Sequence, residues 1–116
     1  MLHLTPAILE AAYELLRITP PFKRWKLPPA DELEFRATRL SDGSQGECWL
    51  RKDKTLCLTV NPERHHTLTA ALTTLAHEMV HVREYKLGIT GTSLGKVFDK
   101  LAGKVCKIHG FDRGQF

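Results

Sequence analysis

The chain has no apolar run near the roughly 20 residues that a membrane-spanning helix requires, which predicts a soluble protein. Its start, Met1-Leu2-His3-Leu4-Thr5-Pro6, lacks the charged head and apolar stretch of a secretory signal, so a cytoplasmic setting is expected. Cysteine is scarce: Cys48, Cys57 and Cys106 are widely spaced, odd in number and form no CxxC pair. That pattern signals neither a disulfide framework nor a cysteine-built metal site, and small buried hydrophobes are expected instead. There is no internal repeat, low-complexity stretch or linker, so residues 1–116 form one domain by the usual size relation.

Apolar residues make up 42% of the chain, enough for one ordinary core and too many for disorder. The formal charge is +4, and its excess is clustered. Lys23, Arg24 and Lys26 surround Trp25, and Arg51, Lys52 and Lys54 lie near Trp49. Lys96, Lys100, Lys104 and Lys107 recur at helical spacing and would share one face. That stripe, with Arg83 and Lys86, is either a solvated surface or a footprint for DNA phosphates.

Thr5 as cap, Pro6 at the first position and Leu4 stapled to Leu9 predict a helix over residues 5–18. Its apolar face is Ile8, Leu9, Ala12, Leu15 and Leu16, and Thr19-Pro20-Pro21 stops it. A loop through Pro28-Pro29 leads to an extended segment, Leu33 to Thr38. Asp42-Gly43-Ser44-Gln45-Gly46 is turn chemistry, and strands follow at Glu47 to Leu50 and Thr55 to Val60. The three are expected to form a small antiparallel sheet, ended by Asn61-Pro62.

From Thr67 to Leu87 the period becomes helical, with Leu68, Leu72, Leu75, Met79 and Val82 as a buried stripe and Gly88 as terminator. A last helix of about thirteen to fifteen residues is expected after Ser93, carrying Val97, Phe98, Leu101, Val105 and Ile108 inward.

His77-Glu78-Met79-Val80-His81 falls inside the strongest of these helices. Histidines at i and i+4 leave one helical face, so their ring nitrogens can converge on a metal ion. Glu78 stands beside the pair, placed to take a proton from a water that zinc would acidify. Such zinc sites usually take three protein ligands. His109 would lie about 20 Å along the last helix, at 1.5 Å per residue, and His65 and His66 are also remote. Glu84, three residues after His81, and Asp99, a turn into the last helix, are the remaining candidates.

These residues resemble the SprT-like (Spartan-type) zinc metallopeptidases. Gly46-Glu47-Cys48, then Leu56-Cys57-Leu58-Thr59-Val60-Asn61-Pro62, then Leu75-Ala76-His77-Glu78-Met79-Val80-His81 are similar to that family's strand, NP turn and active-site helix in order. Leu94-Gly95-Lys96-Val97-Phe98 is similar to its HGxxF segment, with Leu94 where the family has its third zinc-ligating histidine. The resemblance implies an α+β, minimal zincin-like domain: N-terminal helix, three-stranded antiparallel sheet, HExxH helix and C-terminal helix. It implies Zn2+ on His77 and His81, Glu78 as catalytic acid/base, a protein or peptide substrate, and roles linked to DNA. Leu94 leaves a second expectation open, a non-catalytic module that keeps the fold and a basic, nucleic-acid-contacting face.

Overall fold

The computed structural model describes residues 3–89 and 94–116. Helix α1 spans Pro6–Arg17, opened as expected by Thr5, whose Oγ1 accepts the Ile8 amide at 3.2 Å. Its buried face is Leu9, Tyr13 and Leu16, whereas Ile8 and Leu15 are exposed. The face is rotated toward Tyr13 because that hydroxyl has a buried partner, donating to the Pro28 carbonyl at 2.5 Å. The segment expected as plain loop contains a short helix, α2 (Phe22–Trp25), which drives Phe22 and Trp25 into the core.

Strands β1 (Leu33–Ala37), β2 (Gly46–Leu50) and β3 (Leu56–Val60) lie where expected, yet the sheet is mixed and not antiparallel. β3 is central, antiparallel to β2 and parallel to β1. Ala37 and Gly46 both stand opposite Val60, so the 38–45 connection crosses the end of β3 and sets β2 on its far side. The physical reason is burial. Every residue of Leu56–Val60 is buried, and such a strand needs a neighbour on each edge. Leu56, Leu58 and Val60 join Phe35 in the main core. On the opposite face Cys57 and Thr59 lie in register with Glu34, Arg36, Glu47 and Trp49, and an Arg51–Glu34 ion pair spans that face.

Helix α3 (Leu68–Lys86) is capped by Thr67, whose Oγ1 accepts the Ala70 amide at 3.1 Å. It packs on β2, β3, α1 and the last helix, α4 (Leu94–His109). Crowding on several sides buries Leu75, Met79 and Val82 as expected, and also Ala71, Thr74, Ala76, Glu78, Val80 and Glu84. Leu68, at the exposed first turn, is not buried. Gly88, at φ 70°, ends the helix: its amide bonds Tyr85 O and that of Ile89 bonds Glu84 O, each at 3.1 Å. Arg83 is not a free surface cation, because its guanidinium donates to Trp25 O at 3.0 Å.

α4 buries Ala102, Val105 and Cys106 and half-buries Val97, Phe98 and Leu101, but Ile108 is exposed. The expected cap Ser93 and the side chain of Leu94 lie outside the described residues. Cys57 and Cys106 are buried, Cys48 is half-buried, and all are free thiols. No helix among the described residues is long and apolar enough to cross a membrane.

Candidate metal centre

The strand topology builds the rim of the site. Because the 38–45 connection ends beside Val60, the next residue, Asn61, can tie it down. The Asn61 amide donates to Gln45 O at 2.8 Å, and its side-chain Nδ2 donates to Ser44 O at 3.0 Å. Gly43 turns this rim at φ 76°, with the Ser44 amide on Asp42 Oδ1 at 2.9 Å. Gly46 then brings backbone against α3: a Cβ there would lie 2.7 Å from Thr74 Cγ2 and 3.1 Å from Glu78 Oε2. Only glycine fits that approach.

His77 and His81, one turn apart on α3, converge as their spacing predicts. Their Nε2 atoms are 3.3 Å apart. Each opposite nitrogen is engaged elsewhere: His77 Nδ1 donates to Phe116 O at 3.0 Å, and His81 Nδ1 donates to Glu84 Oε1 at 2.7 Å. With the protons on Nδ1, each Nε2 keeps a lone pair, and the two atoms lie side by side. Burial, with the His81 charge second, pushes the His77 imidazole down to about 4, and burial lowers His81 as well. Both rings are therefore neutral near pH 7, the form that ligates metals.

Glu78 is 4% exposed and has no hydrogen-bond partner among the described residues. Burial, with the Glu47 charge second, pushes its carboxyl up to about 8. Ligand atoms of His77, Glu78 and His81 lie within 4.8 Å of one another, and this group could hold a metal ion. A cation here would favour the ionised form of Glu78 and relieve its isolation.

The two candidate third ligands are not part of the cluster. Glu84 is buried behind His81, where it accepts the Nδ1 proton, and Asp99 is an exposed partner of Arg113 at 2.8 Å. His109 bonds Thr19 at 3.0 Å and rests on Phe22, on the α1 and α2 side of the fold. His65 is a buried structural residue, donating from Nδ1 to Asn61 O and accepting the Thr74 hydroxyl at Nε2, both at 2.7 Å. His66 is exposed. Among the described residues no other histidine, cysteine or carboxylate joins the cluster.

An aromatic layer completes the site. The Phe98 ring centroid lies 4.7 Å from both imidazoles, and Phe116 lies 5.4 Å from His77. Phe98 was legible as an inward position of the last helix, but nothing local marks Phe116, which returns to the site from the far end of α4. The open side is a cavity of about 310 Å³ between Gly43–Gly46, Thr74, His77, Glu78 and Phe116. Comparison of the chain with protein-family models, curated proteins and solved structures gave no match.

Proposed function

We propose that the chain is a zinc-dependent metallopeptidase of the SprT-like type, acting in the cytoplasm on peptide bonds of other proteins. One observation carries this reading: two Nε2 atoms 3.3 Å apart, backed at Nδ1, beside a buried glutamate that opens on a cavity. Two imidazole nitrogens this close could both ligate one zinc ion, with His77 and His81 as its holders. Zinc bound there would polarise the scissile carbonyl and acidify the attacking water.

His77 and His81 would hold the ion, and the Phe98 ring packs against both imidazoles. Glu78 takes a proton from the attacking water as the new C–O bond forms. It then gives that proton to the amide nitrogen as the C–N bond breaks, so its carboxylate is regenerated. The unpaired edge of β2 offers backbone donors and acceptors beside Glu78, fit for an extended peptide.

The test is cleavage of an unfolded protein by zinc-loaded wild type and Glu78→Gln, with bound zinc measured by elemental analysis. Glu78→Gln should keep the metal and lose about 10²–10⁴-fold in rate. His77→Ala and His81→Ala should lose the metal itself. Equal cleavage by wild type and Glu78→Gln overturns the mechanism.

The second reading, a DNA-contacting module, has an observation of its own. Lys96, Lys100, Lys104 and Lys107 are all exposed on α4, and none forms an ion pair among the described residues. The two readings are compatible, since Phe98 meets the site from the other side of that helix.

A further inference from the structure

The cavity beside Glu78 is flanked by a second, of about 420 Å³, along the N-terminal turns of α3, and Gln45, Arg64, Thr74 and Gln115 line both. Among the described residues, Arg64 is the one lysine or arginine on either wall. Its neighbour Glu63 pairs with Arg39 at 3.4 Å, while Arg64 has no ion-pair partner among the described residues. Glu78 and Asp112 also line these walls, yet neither pairs with Arg64 among the described residues, so its guanidinium keeps its donors for an anion.

The backbone that carries Arg64 is built to hold it there. The Pro62–Arg64 turn starts from Asn61, which is 2% exposed. Asn61 Oδ1 accepts the Glu63 amide at 3.0 Å, and Asn61 O accepts both the Arg64 amide at 3.2 Å and His65 Nδ1 at 2.7 Å. On the other side of Arg64, His65 is 2% exposed and pinned to Thr74 on the same cavity wall. Arg64, itself exposed, therefore lines the space next to Glu78 from a fixed base.

We propose that Arg64 is a specificity-determining residue that receives a carboxylate of the peptide substrate beside the bond being cut. This rests on the peptidase reading above. The carboxylate is an acidic side chain or a free C-terminus, and both meet a guanidinium through two parallel N–H···O bonds. A phosphate dianion fits less well, because one guanidinium leaves its second charge unmatched while Glu78 and Asp112 add acidic groups to the walls.

The experiment measures binding of labelled peptides by fluorescence anisotropy to Glu78→Gln protein, which does not consume them. Four peptides are compared: one glutamate or its glutamine isostere, each with a free or amidated C-terminus. The carboxylate-bearing forms should bind about tenfold tighter or more than the neutral form, as a charge-assisted pair predicts. Adding Arg64→Ala should bring all four to near-equal affinity, and Arg64→Lys should restore part of the preference. Which carboxylate matters, side chain or terminus, identifies the source. Equal or absent binding of the four, or a preference that survives Arg64→Ala, overturns the proposal. Wild-type cleavage assayed in parallel judges the peptidase reading separately, since binding to Glu78→Gln does not depend on turnover. Circular dichroism confirms that the exposed Arg64 variants remain folded.

Discussion

Each imidazole of the pair uses Nδ1 to fix its own orientation and leaves Nε2 to its neighbour. The two supports differ in kind: Phe116 offers a main-chain oxygen, and Glu84 a side-chain carboxyl that burial pushes up to about 7. Glu84 is 1% exposed, and its Oε2 is buried without a partner among the described residues. Burying such a group has a cost that packing alone does not recover. Orienting His81 and strengthening its basicity gives the cost a purpose. Glu84→Ala should therefore lower zinc affinity about 10–100-fold, read by competition with a chromophoric chelator. Glu84→Gln retains an acceptor and should lose less, and unchanged affinity in the alanine variant would leave Glu84 without a role at the metal. The i, i+4 histidines were readable from spacing because a helix fixes which residues share a face. Glu84 was only half readable. A position three residues after His81 suits both a ligand and a support behind the ring, and only the direction of the imidazole separates the two.

Elements place these residues through contacts that pairwise spacing does not reveal. Gly46 shows this best, because β2 comes close to Thr74 and Glu78 of α3 there. In Gly46→Ala the new Cβ would also lie 2.8 Å from Thr59 O, a backbone atom with little freedom to move. The variant should unfold at lower urea, by about 1–3 kcal/mol as for other overpacked sites, and cleave more slowly because Glu78 is displaced. Urea denaturation and the cleavage assay check the two effects. The α1 element carries a pH-dependent tie. Glu14 Oε1 accepts the Ala30 amide at 2.7 Å, and Oε2 meets Arg17. The Ala30 amide, with Arg17 adding, holds this carboxyl below the usual carboxylate range. The unfolded chain thus binds the proton first on acidification. The tie contributes fully above the ordinary carboxylate pKa and is lost as pH falls through the lower folded value. Glu14→Gln should be less stable than wild type at neutral pH, with the gap closing in acid. A gap of constant size would sever Glu14 ionisation from stability. All three strands, the first and third helices and the last helix were legible from period and caps. Strand order was not, since pairing of β1 with β3 is a decision of the whole sheet, made by the fully buried run of β3.

At the scale of the molecule the candidate metal site and the basic stripe fall on different sides of α4. Phe98 turns toward the histidines, while Lys96, Lys100, Lys104 and Lys107 turn to solvent. The lysine spacing was readable in the sequence, but the role given to Arg83 was not, because its tie to Trp25 O joins segments 58 residues apart. Four exposed lysines without acidic partners among the described residues can approach a duplex together and displace condensed cations from its phosphates. For four phosphate contacts the slope of log K against log salt should be about −3.6, at about −0.9 per contact. Lys100→Ala with Lys104→Ala should reduce its magnitude by about 2 and weaken binding equally on unrelated sequences. The measurement is anisotropy of a labelled duplex across a salt series. Binding undetectable at low salt, or a slope indifferent to the two substitutions, would make the stripe a solvated surface. If instead the slope follows the lysines while Glu78→Gln leaves it untouched, the metal site and the basic face act independently. A protein held to DNA by one side of α4 would then present its cleft, and Arg64 within it, to whatever chain is bound alongside.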